Sequence, residues 1–296
     1  MGMTAPQCVL FKSSLYVGGG QTLNTDREFR SLIFEYDMSS SNGMQWKCPF
    51  IQCPTMYFGL SELNGKLVVV GGEREAEDKQ AIITGEVFVP EENNTKWSGD
   101  IIPAMKTPRI RACVISFKGS IAACGGIESS NRECSSAVEV YRSGDKEWCV
   151  VTSLPVPRAA LRVSIIHKTA YFLGGFYPRL AHPGKPTCIG IDLEDLFQAD
   201  ATVRRHWNDT IRDAPCYSST PASLCGSLIA LGGLGESQTD AIYAYSPVVN
   251  EWYLIDKLKI KLSSATAITL PNGELIVLGG KTGDDRNTDV YIGSLE

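Results

Sequence analysis

Residues Val68-Val69-Val70-Gly71-Gly72 decide the fold, because an apolar run that ends in two glycines recurs along the whole chain. The other copies are Leu15-Tyr16-Val17-Gly18-Gly19, Ile121-Ala122-Ala123-Cys124-Gly125-Gly126, Tyr171-Phe172-Leu173-Gly174-Gly175, Ile229-Ala230-Leu231-Gly232-Gly233 and Ile276-Val277-Leu278-Gly279-Gly280. The first glycines of successive copies lie 47 to 58 residues apart. A repeat of this length predicts a row of similar units, each too small to bury its own apolar faces.

Aromatic residues follow the same repeat. Each of the five tryptophans comes after a glycine pair, namely Trp46, Trp97, Trp148, Trp207 and Trp252. A strand-like stretch with an aromatic residue usually lies between, as in Glu139-Val140-Tyr141. Turn residues at short intervals between such stretches predict four antiparallel strands per repeat. The stretch Leu193 to Ala199 differs, because its apolar spacing predicts one or two helical turns.

The order of glycine pair, tyrosine and tryptophan has a physical explanation in sheets arranged around an axis. Strands crowd near the axis, where glycine removes the Cβ atom and permits a positive φ. The sheets diverge farther out, where large aromatic side chains fill the wedge between them. We therefore predict an all-β fold, a β-propeller of six four-stranded antiparallel blades in one domain over 1–296. The predicted blades span approximately 6–53, 54–107, 108–156, 157–214, 215–261 and 262–296.

The repeat resembles the Kelch repeat. The resemblance rests on the strand ending in Gly-Gly, the later Tyr and Trp, and a Pro-Arg pair before a first strand, as in Pro108-Arg109 and Pro157-Arg158. It covers the chain from about Gln7 to Tyr291 and implies a six-bladed β-propeller. The fourth repeat departs most, because Ile189-Gly190-Ile191 replaces the aromatic strand and Trp207 comes late.

One blade is expected to be short of a strand. Counting back from Gly18 by the usual spacing runs past Met1, and counting forward from Tyr291 runs past Glu296. We expect a fourth strand that is missing or is built from an atypical segment such as Met1 to Pro6. Because an open sheet edge exposes unpaired backbone groups, we expect the chain to be a fragment of a longer protein.

Composition argues against several classes of partner. The chain has 296 residues, 43% of them hydrophobic, and a net charge of −5, which argues against nucleic acid as the main partner. No apolar run approaches the roughly 20 residues of a membrane span, so no membrane partner is expected. The ten scattered cysteines predict reduced thiols in a cytoplasmic protein.

Catalytic motifs are not found in the sequence. Three histidines are present: His167 is expected to be a turn residue, and no cysteine or carboxylate stands at metal-ligand spacing beside His182 and His206. There is no phosphate loop, dinucleotide fingerprint or GxSxG elbow. We therefore expect no catalytic residues, no metal and no cofactor, and we expect the chain not to be an enzyme. A Kelch-type small-molecule enzyme stays open as an alternative, because sugar mutarotases of this kind need no metal.

Recognition of a protein or peptide is the predicted activity. Propeller loops at one end form a shallow bowl from the connections between second and third strands and between successive blades. Arginines there would favour acidic segments, while tyrosine and serine add contact area and hydrogen bonds. The predicted partner-binding residues are Tyr57, Arg74, Arg111, Arg162, Tyr177, Arg179, Ser218 and Ser263. Arg109 and Arg158, directly after proline, are expected to pair with backbone or a neighbouring carboxylate.

The segment Pro108-Arg109-Ile110-Arg111 is similar to one in the Kelch propellers of BTB–Kelch ubiquitin-ligase adaptors, where the second arginine points into the degron-binding bowl. The resemblance assigns that role to Arg111 and, more loosely, matching roles to Tyr57, Ser218 and Ser263. It implies substrate recognition for a cullin-dependent ubiquitin ligase, with the cullin contacted through regions absent from this chain. An actin-associated, cytoskeletal Kelch protein is the alternative interaction function.

Overall fold

The fold is described from a computed structural model. It describes residues 3–4, 6–22, 32–38, 45–46, 51–53, 55–75, 81–90, 97–175, 188–200, 205–209, 211, 213–283, 285–286 and 290–293. The chain divides into two compact units. The N-terminal unit is Gln7–Ala159, and the C-terminal unit is Ala160–Glu296 together with Met1–Pro6, which holds the short strand β1 (Met3–Thr4). Within the described ranges, no helix has the length and apolar character needed to cross a membrane.

Three antiparallel sheets form the N-terminal unit. Sheet one contains β2 (Gln7–Phe11), β3 (Ser14–Gly18), β5 (Leu32–Asp37), β6 (Gln45–Trp46) and β7 (Ile51–Gln52), and β4 (Gln21–Thr22) follows β3. Sheet two contains β8 (Gly59–Leu63), β9 (Lys66–Glu75), β10 (Ala81–Pro90) and β11 (Trp97–Ile102). Sheet three contains β13 (Cys113–Phe117), β14 (Ser120–Cys124), β16 (Ala137–Arg142) and β17 (Cys149–Ser153). The short strands β12 (Arg109–Ile110) and β15 (Ile127–Glu128) pair with each other beside sheet three.

The C-terminal unit repeats this arrangement. Sheet four contains β18 (Arg162–Ile166), β19 (Thr169–Leu173) and β20 (Cys188–Asp192), after which comes the helix α1 (Leu193–Phe197). Sheet five contains β21 (Thr220–Leu224), β22 (Ser227–Leu234), β23 (Gln238–Ser246) and β24 (Glu251–Lys257). Sheet six contains β25 (Thr266–Thr269), β26 (Leu275–Leu278) and β29 (Val290–Gly293), with the short pair β27 (Lys281–Thr282) and β28 (Asp285–Arg286) between them.

These elements agree with most of the strand predictions. The predicted helical turn is present as α1, whose N-terminal backbone groups are capped by the Asp192 carboxylate. In sheet three the fourth strand begins at Cys149, directly after Trp148. Sheets four and six each have three strands among the described residues, and Gly190 of sheet four makes an additional bridge to Asn208.

Aromatic residues fill the wedge between sheets two and three, as the repeat predicts. Trp148 is fully buried among apolar side chains of both sheets, including Val70, Val87 and Ile121. Its indole Nε1 donates a hydrogen bond to the Pro103 carbonyl oxygen at 2.7 Å. A buried indole thus satisfies its donor while it covers apolar surface from two sheets.

The glycine pair of sheet three shows why two glycines are needed. Gly125 and Gly126 have φ values of 63° and 104°. A Cβ atom on Gly125 would stand 2.3 Å from the Arg158 carbonyl oxygen, and one on Gly126 would stand 2.7 Å from the Ile110 carbonyl oxygen. The Gly126 N–H donates to Arg158 O at 2.9 Å. The pair therefore lets three backbone segments approach more closely than any side chain allows.

Strand register corrects the glycine pair predicted for the first repeat. In sheet three the last residue before the pair, Cys124, lies opposite Cys113 at the start of the first strand. In sheet one the residue opposite the strand start is Gly18 itself. The position of Gly125 is therefore taken by Gly19, whose φ is 75°. Three consecutive glycines conceal this one-residue offset in the sequence.

Candidate functional site

One residue at each junction between sheets adopts the left-handed backbone conformation, although none of these residues is glycine. They are Tyr57, Arg111, Ala160, Ser218 and Ser264, with φ values between 50° and 55°. Each stands two residues before the first strand of its sheet, and these strands start at Gly59, Cys113, Arg162, Thr220 and Thr266. Left-handed backbone at non-glycine residues is strained, so this repeated geometry is imposed by the surrounding fold.

At most of these junctions the left-handed residue is partly exposed to solvent. Arg111 is partly exposed between Ile110 and Ala112, which are only 7% and 2% exposed. Ala160 and Ser264 are likewise partly exposed between buried neighbours. At Arg111, Ala160 and Ser264 the junction therefore presents one side chain to solvent, while the flanking residues anchor the backbone in the core.

The junctions lie beside the loops that follow the glycine pairs. Met56 pairs with Glu73, directly after Gly71-Gly72, and Ile110 pairs with Ile127 in the same way. The same pairing joins Ser263 to Lys281 in the C-terminal unit. The two loop classes that the sequence assigned to one end of the sheets are therefore adjacent within each unit.

Arg111 and Tyr57 are brought together by this arrangement. The Arg111 N–H donates to the Tyr57 carbonyl oxygen at 2.8 Å. The Arg111 guanidinium lies over the Tyr57 ring, 4.8 Å from its centroid. A cation over an aromatic face gains roughly 0.5–1 kcal/mol at a partly exposed site, so the tyrosine fixes the position of a permanent positive charge.

Two further arginines lie in the adjacent loops of the N-terminal unit. Arg74 follows Glu73 and approaches the Glu86 carboxylate at 3.5 Å. Arg132, in the loop after β15, approaches the Glu73 carboxylate at 3.5 Å. We call Arg74, Arg111 and Arg132, with Tyr57 beneath Arg111, the arginine surface. Sequence analysis missed Arg132, because only the fold shows that its loop meets Glu73 of the neighbouring sheet.

The predicted serines of the C-terminal unit lie at its own junctions. The Ser264 N–H donates to the carbonyl oxygen of Ser218 at 2.9 Å. Ser263 is 3% exposed, and its hydroxyl accepts a hydrogen bond from the Gln238 amide at 2.9 Å. Ser264, rather than the predicted Ser263, therefore occupies the junction position equivalent to Arg111.

Arg162 lies in a different position from Arg111. It is the first residue of β18, where sheet three has Cys113, and the residue equivalent to Arg111 is Ala160. Arg162 is 9% exposed, and its Nε donates to the Ala265 carbonyl oxygen at 3.2 Å. The partner-binding role of Arg162 stays a prediction, and Tyr177 and Arg179 lie outside the described residues.

Arg109 pairs with backbone and a carboxylate, as expected for a structural role. Its guanidinium forms an ion pair with Glu139 in which both side chains are fully buried. It also donates to the carbonyl oxygens of Gly125 and Ala137. Glu139 accepts the backbone N–H of Lys106 at 2.7 Å, so the buried carboxylate is satisfied from two directions. Arg158, the second arginine of this kind, is buried too.

The thiol of Cys134, in the same loop as Arg132, is not an activated nucleophile. Cys134 lies in the loop after β15, and burial raises the pKa of its thiol to about 11, although Arg158 and a backbone hydrogen bond act in the opposite direction. The thiol is therefore protonated at neutral pH. In the part of the chain that the structure describes, no group of three or more His, Cys, Asp or Glu residues is arranged to hold a metal ion.

Comparison with known proteins identifies the class of fold. No family profile matches the chain. It is 23% identical over 215 residues to Kelch-like protein 41a of Danio rerio, covering 71% of this chain and 33% of that protein. It is 24% identical over 173 residues to Alpha-scruin of Limulus polyphemus, covering 55% of this chain and 18% of that protein. The chain thus spans a third or less of these relatives.

A solved structure extends the comparison to the whole chain. The structure of YjhT matches with a TM-score of 0.77 at 12% identity, covering 100% of this chain and 96% of the other. The repeated antiparallel sheets therefore belong to a β-propeller. The chain is a Kelch-repeat β-propeller, which confirms the resemblance and the predicted fold class. The number of six blades stays a prediction.

The expectation that the chain is not an enzyme is corrected by this match. The fold of YjhT covers the entire chain, and a fold of this kind can host more than one activity. Enzyme activity is therefore compatible with the fold. A site in a propeller combines residues from the loops of separate repeats, so an enzyme with this fold need not contain a contiguous catalytic motif.

Proposed function

We propose that this chain is a protein-interaction module that binds an acidic peptide segment at the arginine surface. The observation that carries the proposal is Arg111, held in left-handed backbone, partly exposed between buried neighbours and stacked over Tyr57. A pre-positioned guanidinium loses little freedom on binding, and its planar donor fork matches a carboxylate. Arg74 and Arg132 place two further guanidinium groups in adjacent loops, each beside a carboxylate.

An array of acidic and neutral peptides tests the proposal. Arg111→Ala is expected to weaken the acidic peptides by about ten- to hundredfold, the value of one or two charge-assisted hydrogen bonds. Arg142→Ala is the matched control, because this substitution removes the same charge at a different place. Arg142 pairs with Asp145 in the turn between β16 and β17. Equal binding by Arg111→Ala and the native chain would show that the arginine surface is not the site.

The setting that we propose for this module is substrate recognition in a cytoplasmic BTB–Kelch ligase adaptor. Similarity to Kelch-like protein 41a supports this step, together with the position of Arg111 in Pro108-Arg109-Ile110-Arg111. The test is capture of the natural full-length protein from cells with antibodies against cullins. Failure to recover any cullin would overturn the adaptor role but leave peptide binding by the arginine surface to its own test.

A Kelch-type enzyme is the second candidate, favoured by the whole-chain likeness to YjhT. Because sugar mutarotation needs no metal, it is the reaction to assay first. Exchange between the two anomers of free sugars is measured by NMR with and without the protein. Acceleration that depends on protein concentration would support this candidate, and unchanged exchange across a panel of sugars would count against it.

A further inference from the structure

A carboxylate is fixed next to the residues that position Arg111. Glu73 lies in β9, directly after Gly71-Gly72. The Met56 N–H donates to the Glu73 carbonyl oxygen at 2.7 Å, and the Glu73 N–H donates to the Met56 carbonyl oxygen at 2.8 Å. Met56 directly precedes Tyr57, whose ring lies under the Arg111 guanidinium. The backbone of Glu73 is therefore held beside the segment that carries this ring.

The Glu73 side chain is more enclosed than the arginine that it meets. Its carboxylate lies 3.5 Å from the Arg132 guanidinium, and the exposed fractions of the two side chains are 17% and 57%. A ligand carboxylate can draw the long, exposed Arg132 side chain toward itself, whereas the Glu73 carboxylate stays with its strand. Water screens the charge of this carboxylate less than that of a fully exposed one.

A second arginine of the surface also lies beside a carboxylate. The Arg74 guanidinium is 3.5 Å from the Glu86 carboxylate. The Thr84 hydroxyl donates a hydrogen bond to that carboxylate at 2.8 Å, so the position of the negative charge is fixed here too. The arginine surface therefore presents charges of both signs. A ligand with a run of acidic residues would meet carboxylates as well as guanidinium groups.

We propose that Glu73 determines which peptides the arginine surface selects, namely segments in which a basic residue stands two positions from the acidic residue that contacts Arg111. This inference rests on the proposed function, because it requires a peptide at the arginine surface. Side chains two positions apart in an extended peptide point to the same side, so both can face the protein. The basic residue pairs with a partly enclosed carboxylate, whereas a second acidic residue in its place meets like charge.

Three labelled peptides of nine residues test the selection. Each has a central glutamate in a Gly-Ser background, and the residues two positions to either side are both lysine, both serine or both glutamate. Fluorescence anisotropy with the native protein is expected to give the tightest binding for the lysine peptide and the weakest for the glutamate peptide. Each step should change the dissociation constant by at least about threefold. Tightest binding of the glutamate peptide would overturn the proposal.

Substitutions of Glu73 assign the selection to its charge. Glu73→Gln removes the charge with little change of shape and is expected to bring the dissociation constants of the lysine and glutamate peptides within about threefold of each other. Glu73→Asp keeps the charge and should keep the native order. A folded Glu73→Gln variant with the native order and spacing would contradict the assignment. Circular dichroism verifies folding, and the native order of the three peptides provides the test if Glu73→Gln does not fold.

Asp145→Asn is the matched control, because the whole chain has a net charge of −5 and attracts any basic peptide. Asp145 pairs with Arg142 at 3.6 Å in the turn between β16 and β17, and its substitution changes the net charge as Glu73→Gln does. This variant should keep the native order. Loss of the order in Asp145→Asn as well would show that overall charge, rather than Glu73, selects the peptides.

Arg111→Ala separates this inference from the proposed function. Weaker binding of all three peptides by this variant, together with native binding of the glutamate peptide equal to that of the lysine peptide, would overturn the role of Glu73 and leave the arginine surface as the site. Unchanged binding of all three peptides by Arg111→Ala, or no binding by the native protein, would overturn the proposed function itself.

Discussion

Gly126 and Gly144 both have left-handed backbone, with φ values of 104° and 92°, but their surroundings differ. A Cβ atom on Gly126 would lie 2.7 Å from the Ile110 carbonyl oxygen, whereas one on Gly144 would meet nothing within 4 Å. Gly144→Ala is expected to lower the free energy of unfolding by roughly 1–2 kcal/mol, the cost of left-handed strain alone. Gly126→Ala should lower it clearly more, because the new Cβ atom also meets the Ile110 carbonyl oxygen. Urea denaturation measures the free energy of unfolding of both variants, and equal losses would contradict the close-approach explanation.

The buried pair of Arg109 and Glu139 predicts a second contrast between single residues. Arg109→Met leaves the Glu139 carboxylate buried without its cation and is expected to lower the free energy of unfolding by about 3–5 kcal/mol. Arg142→Met removes the arginine of the partly exposed pair with Asp145 and should cost at most about 1 kcal/mol. Urea denaturation of the two variants measures the difference, and similar losses would refute the structural role of Arg109.

At the scale of a strand and its wedge, the tryptophans are not equivalent. Trp148 is fully buried between sheets two and three, whereas Trp252 is only partly buried beside sheets four and five. Trp148→Ala is expected to cost about 3–5 kcal/mol, because it opens a large cavity and leaves the Pro103 carbonyl without its donor. Trp252→Ala should cost less. Thermal unfolding of both variants checks the order, and a larger loss for Trp252→Ala would contradict it.

The sequence predicted which elements exist more reliably than where each begins. Apolar runs, glycine pairs and tryptophans identified the repeat, because each reflects a strong local requirement for close approach or wedge filling. Spacing between these marks varies from 47 to 58 residues, so counting along the chain could not establish that Arg162 corresponds to Cys113 rather than to Arg111. Strand pairing settles such offsets, since the first strands of sheets two to six each start two residues after a left-handed residue.

At the scale of the whole molecule, the binding surface was harder to predict than the fold. Repetition is visible within one stretch of sequence, but a site in a propeller combines loops from different repeats. Arg132 joins the arginine surface through Glu73, more than fifty residues away in the chain. This feature has no contiguous motif.

Buried thiols predict how the stability of the whole molecule depends on pH. Burial, assisted by the charge of Asp213, raises the pKa of Cys188 from 9.0 to about 12. Burial raises the pKa of Cys134 to about 11. Between pH 9 and these values the unfolded chain loses a proton that the folded chain keeps at each site. The free energy of unfolding should therefore fall as pH rises, by about 1.4 kcal/mol per pH unit for each thiol.

A cysteine variant separates this effect from the titration of lysines and tyrosines. Cys188→Ala is expected to have a shallower decline between pH 9 and about 12 than the native chain, whatever its stability at pH 7. Cys225→Ala is the control, because Cys225 is exposed in the turn between β21 and β22, and it should keep the native slope. Urea denaturation at a series of pH values measures all three slopes. Parallel curves for Cys188→Ala and the native chain would show that the Cys188 thiol is not held protonated by the fold.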